Sequence, residues 1–106
     1  MSNIHEIYDA AEKLKDAGKL EEAVAKLLEA LEIDSGFALA HSALAVHYGK
    51  LDEHEKAIEH GLKVIELEPD DAFSYTAMSV TYQRGGKVPE ADDMMTRAHS
   101  VQQGSK

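Results

Sequence analysis

Tyr75-Thr76-Ala77-Met78-Ser79-Val80-Thr81-Tyr82, followed by Ala91 and Met95, repeats a pattern met one unit earlier as His41-Ser42-Ala43-Leu44-Ala45-Val46-His47-Tyr48 followed by Ala57. Working outward, the spacing holds along the chain. Ala23, Ala57 and Ala91 stand 34 residues apart, as do Leu14, Tyr48 and Tyr82, the small residues Ala11, Ala45 and Ser79, and the column Ala30, Val64 and Ala98. Four columns in phase mark an internal repeat, which decides the fold before any single segment is read.

Within each copy the apolar residues recur at helical spacing, as in Ile4, Ile7, Ala11 and Leu14, then Leu20, Ala23, Val24, Leu27, Leu28 and Leu31. Each unit is therefore two amphipathic helices joined by a short turn. The spacing predicts helices near 3–17, 20–33, 37–50, 53–67, 71–85 and 89–102, and no stretch reads as a strand. Asn3 with Glu6 and Asp52 with Glu55 have the spacing of capping boxes, Gly18 and Gly86 suit helix ends, and Pro89 suits a first helical turn.

This period and these columns resemble the tetratricopeptide repeat family, over residues 4 to about 101. The first copy, Ile7-x-x-Ala10-Ala11-x-x-Leu14 with Ala23-x-x-x-Leu27, is the weakest individually. The resemblance implies an all-α, right-handed solenoid of three helix-turn-helix repeats, six antiparallel helices in all. Residues 1–101 then form one domain, with repeats of about 4–37, 38–71 and 72–101, and residues 102–106 a polar flexible tail. Two positions depart from the family. Ile7, His41 and Tyr75 stand where it prefers Trp, and Gly61 stands where it prefers a bulky residue and the sister copies have Leu27 and Met95. Glycine inside a helix costs about 1 kcal/mol relative to alanine. Gly61 therefore marks either a gap filled by a neighbour such as Tyr48, or a small pocket or an unusually close contact.

Internal units of a solenoid present an apolar face to the next unit, and a terminal one does not. Val24 and Leu31, then Ile58 and Ile65, give way to Asp92 and His99, so the sixth helix reads as an end. Met94, Met95 and Val101 keep some apolar surface there, which allows a monomer or a weak homo-oligomer.

The resemblance implies that the first helix of each unit lines a concave wall. Peptide-binding positions carried over in this way are Tyr8 and Glu12, then Leu39, Val46 and Lys50, then Phe73, Val80 and Arg84. Tyr8, Leu39, Val46, Phe73 and Val80 form an apolar floor, which suits a protein or peptide partner with an apolar or amphipathic segment. The family's cation-and-amide clamp for chaperone carboxylates would fall on Tyr8, Glu12, Ala43, Phe73 and Ala77, which supply neither group.

Composition narrows the remaining classes. With 11 Lys and Arg against 20 Asp and Glu the net charge is −9, which repels nucleic acid and anionic membranes. Residues 1–37, 38–71 and 72–106 carry −5, −5 and +1. Without cysteine there is no disulfide or thiolate site, and the start lacks a basic segment followed by an apolar one, so a cytoplasmic location is expected. None of the six histidines pairs at i,i+3 or i,i+4. A metal site would have to be assembled across helices, for instance from His41, His47 or His60. No phosphate loop or nucleophile–base pair is readable, so neither an enzyme nor a cofactor is expected. The leading function is an adaptor or scaffold that holds a peptide segment. Self-assembly through helix six or the array ends is the alternative, and histidine-mediated metal binding a weaker one.

Overall fold

In the computed structural model, which describes residues 3–104, six helices follow one another: α1 Ile4–Asp16, α2 Leu20–Ile33, α3 Ala38–Lys50, α4 His54–Leu67, α5 Ala72–Arg84 and α6 Val88–Gly104. The closest pairs are α1 with α2, α3 with α4, and α5 with α6, and the pairs stack in chain order through α2 against α3 and α4 against α5. This is the expected all-α solenoid of three helical hairpins. Its Cα radius of gyration, 14.1 Å, exceeds the roughly 13 Å of a compact globule of this length, as an array of stacked hairpins should.

The hairpins can pack because the crossing residues are small. Ala23, Ala57 and Ala91 are buried, as are Ala11, Ala45 and Ser79. The Ser79 hydroxyl donates a 2.9 Å hydrogen bond to the Ala91 carbonyl across the last hairpin. The turns are equally periodic. Lys19, Glu53 and Lys87 each donate a backbone hydrogen bond of 2.8 Å, to the carbonyls of Leu14, Tyr48 and Tyr82. Closing a helix this way requires a left-handed residue just before the donor. Gly18, Asp52 and Gly86 fill that position, at φ 80°, 63° and 78°.

Asp52 was expected to cap α4 and does not. Glu53 holds the N-cap position without a side-chain hydrogen bond, because Asp52 is one residue earlier, in the left-handed turn. The Asn3–Glu6 capping box does form.

The loops between hairpins are pinned by the first aromatic column. Tyr75 Oη donates to the Pro69 carbonyl at 2.8 Å, and His41 Nε2 lies 2.8 Å from the Ser35 carbonyl. Both rings reach back six residues to equivalent points of successive repeats. Ile7, the third member, is buried as a purely apolar group.

The C-terminal end differs from the expectation of a flexible tail from residue 102. Gln102, Gln103 and Gly104 continue α6, because Val101 packs on the last core cluster and Gln103 Nε2 meets His99 Nε2 one turn back at 3.2 Å. Met1, Ser2, Ser105 and Lys106, which belonged to the domain and tail assignments, lie outside the described residues. Asp92 and His99 are exposed on α6, and Met95 beside them is half exposed.

A non-glycine residue in the left-handed region carries a steric cost of about 1–2 kcal/mol, and glycine returns part of it as unfolded-state entropy. Asp52→Gly should therefore stabilise the fold by about 0.5 kcal/mol, measured as a higher urea midpoint at unchanged slope.

Candidate functional site

The repeated fold leaves one face of α3 and α5 uncovered over the second and third repeats. Between these helices lies a groove of about 470 Å³, within the range of sites that hold ligands. Its floor is built from Ala45, Gly61, Val64 and Met78, and its walls are Leu39 and Val46 on α3 and Phe73 and Val80 on α5. The four wall residues are exposed large hydrophobics, with Phe73 at 73% and Leu39 at 53%. Val46 and Val80, at 44% and 45%, are partly packed, and all four leave apolar area uncovered. They form an apolar surface with no partner in the fold.

Gly61 explains the depth of the groove. A Cβ there would lie 2.5 Å from Met78 Sδ and 3.9 Å from Ala45 Cβ. Met78, almost completely buried, therefore inserts against the bare backbone of α4. The close contact is real, and the filling residue is Met78 of the next repeat rather than Tyr48.

Charge is confined to the ends of the groove. Asp71 and Glu68 line it where α5 begins, and Arg84 lines it where α5 ends. Asp71 accepts hydrogen bonds from Phe73 N at 3.0 Å and Ser74 Oγ at 3.3 Å and so caps the helix. Arg84 lies across Gly49 of α3, its Nη1 3.6 Å from where a Cβ would stand.

Five of the eight residues expected to bind a peptide, Leu39, Val46, Phe73, Val80 and Arg84, line this groove. Lys50 is exposed at the end of α3 and Tyr8 and Glu12 lie on α1, all outside the lining. In the first repeat the equivalent space is occupied by the protein itself. Phe37 packs edge-on against His5 at 6.0 Å and Tyr8 at 5.8 Å, and Glu12 pairs with Lys15 at 3.0 Å. Burial, followed by the charge of Glu12, raises the Tyr8 pKa above its ordinary value.

Sequence reading gave Phe37 no role. Its signal was available in the register, since a phenylalanine precedes α3 and makes no side-chain cap where Asp71 caps α5. Glu68 and Asp71 were missed for a simpler reason: they belong to the connecting loop and not to a helix face.

The histidines do assemble across helices, but as a pair. His41 Nδ1 on α3 and His60 Nδ1 on α4 are 3.0 Å apart, and Tyr48 stacks on the His60 ring at 5.7 Å. Because a carbonyl only accepts, His41 Nε2 carries the proton toward Ser35. In the neutral pair His60 Nδ1 then donates to His41 Nδ1. His47 is not part of this pair. It is buried, with Nδ1 lacking a hydrogen-bond partner among the described residues. No group of three or more histidine, aspartate or glutamate side chains suited to a metal occurs among the described residues, and no helix there is long and apolar enough to cross a membrane.

The fold and groove together define a helical-repeat protein with a groove on one face. Residues 11–52 match the family model described as TPR repeat, and the fold is similar to that of solved tetratricopeptide-repeat structures. Three solved structures share the fold. MamA is similar at a TM-score of 0.88 with 22% identity, over 96% of this chain and 60% of that one. YrrB, described as a TPR protein with an unusual peptide-binding site, matches at 0.86 with 20% identity, over 99% and 54%. The second TPR of Spaghetti (RPAP3) bound to HSP90 peptide SRMEEVD matches at 0.83 with 19% identity, over 94% and 93%. The chain thus spans 60% of the length of MamA.

Two predictions follow from this geometry. Overpacking a filled site costs about 1–3 kcal/mol, so Gly61→Leu should lower stability by about that amount although leucine is the residue of the first repeat; denaturant unfolding measures it. Burial also pushes His60 and His47 below the ordinary histidine pKa, helped by the neighbouring His41 ring and by Lys50 respectively. The unfolded chain then takes up protons first as pH falls through about 6.5. Stability present above that pH should be lost progressively toward the lower folded-state values. The urea midpoint should be lower at pH 5 than at pH 7.5, and His60→Gln should flatten the difference.

Proposed function

We propose that this protein is a non-enzymatic interaction adaptor that holds a peptide segment of a partner in the groove between α3 and α5. The observation that carries the reading is the set of four large apolar side chains, Leu39, Val46, Phe73 and Val80, exposed around a recess whose floor is already filled by Gly61 and Met78. A partner that covers them gains apolar burial of roughly 1.5–2 kcal/mol for each side chain fully buried. Against association costs of several kcal/mol this gives a complex of about micromolar affinity or weaker. A fold of the same kind holding the HSP90 peptide in RPAP3, and the peptide-binding site ascribed to YrrB, support a peptide as guest. The expected cytoplasmic setting belongs to this reading.

The binding residues proposed are Leu39, Val46, Phe73, Val80 and Arg84. Tyr8, Glu12 and Lys50 contribute at the margin of the same face. Self-assembly is a second reading only through Met95 and Val88, which are about half exposed on α6.

Phe73→Ala and Leu39→Arg change exposed side chains and should leave the helical circular dichroism spectrum and thermal midpoint unchanged. Both should abolish retention of a partner that co-purifies with the wild-type chain and photo-crosslinks to α5. Full retention by both variants would refute the groove.

A further inference from the structure

The ends of the groove specify the charge pattern of its guest. We infer that the occupant, on the groove reading above, is an extended peptide with an apolar centre, a basic residue at one end and a carboxylate at the other. The basic residue lies beside Glu68 and Asp71, and the carboxylate beside Arg84.

Three observations carry this. The groove runs along α5, so Asp71 and Arg84 mark opposite ends, separated by about 20 Å at 1.5 Å per residue. An extended chain covers that distance in about six residue steps at roughly 3.3 Å each. Second, the end charges are not neutralised within the fold. The ion pairs of the described residues involve neither Glu68 nor Arg84. In the first repeat, by contrast, Glu12 and Asp16 share Lys15 as an internal counterion. Third, the wall between the ends is apolar on both sides, so a charge in the middle of the guest would be desolvated without a partner.

A guest with matched ends satisfies both poles whichever way its backbone runs. A like-charged pair of ends satisfies one pole and opposes the other. Each matched charge at an exposed rim contributes modestly, roughly a two- to fivefold change in affinity, and the effect weakens as salt shortens the screening length.

Four blocked heptapeptides test the inference on the full chain by fluorescence anisotropy. All share the core Leu-Ser-Phe-Ser-Leu, and their flanking residues are lysine with glutamate, lysine with lysine, glutamate with glutamate, or glutamine with glutamine. The lysine–glutamate peptide should bind tightest, its advantage falling toward the glutamine peptide in 0.5 M salt (about a 4 Å screening length). Arg84→Glu should move the optimum to the lysine–lysine peptide, and Glu68→Lys should move it toward the glutamate–glutamate peptide. Equal binding of all four by the wild type and both variants, with Phe73→Ala still abolishing it, would overturn the charge pattern and leave the groove reading standing. No binding of any probe, while the co-purified partner still requires Phe73, would likewise overturn the inference. So would a dimer of the protein alone that Phe73→Ala dissolves, since a second copy would then be the occupant.

Discussion

Close approach of helix backbones is the constraint on which this molecule rests. Each hairpin crosses at a small residue, Ala11 with Ala23, Ala45 with Ala57, and Ser79 with Ala91, all buried. Between the second and third hairpins the same requirement reaches its limit at Gly61, where Met78 Sδ takes the place of a side chain. A larger residue at any of these points would separate the helices, and separation would remove the dispersion contacts that only near-crystalline packing supplies. The groove is a consequence. With Gly61 and Met78 closing the floor, the recess between α3 and α5 remains apolar and open.

Register along the array has a second source, in the polar atoms of the first aromatic column. His41 and Tyr75 occupy the same repeat position and each binds the carbonyl six residues before it. A ring with a polar tip can bury its body while tying down a connecting loop. The consequence at His41 is chemical as well as structural. Holding Nε2 at Ser35 turns Nδ1 toward His60, so a residue that anchors a loop also forms a proton-sensitive contact between α3 and α4.

Much of this was legible in the sequence because repeat position determines burial. The helix number, their limits to within two residues, the small columns and the polar switch at Asp92 and His99 all follow from counting in steps of 34 residues. What was not legible depended on side chains that act outside their own column. Asp52 carries the letters of a cap but occupies a left-handed turn, because the turn geometry of its sister glycines outranks a capping bond. Phe37 reaches backward onto α1, and no periodicity in its own repeat announces that contact. The His41–His60 pair joins residues 19 apart, a separation invisible to a search for ligands on one helix.

Phe37 also settles why the three repeats are not equivalent in what they can bind. In the first, Phe37 packs edge-on against Tyr8 and His5, and the nearby charges pair among themselves. That surface has little left to gain from a partner. In the second and third, the wall residues stay 44–73% exposed, and among the described residues no ion pair engages Glu68 or Arg84. Exposed apolar area and unneutralised charge are both cancelled by a complementary chain, and here they coincide along one groove of about 470 Å³. The proposed footprint is therefore set by the second and third hairpins, while the first hairpin packs on the second through α2 and α3.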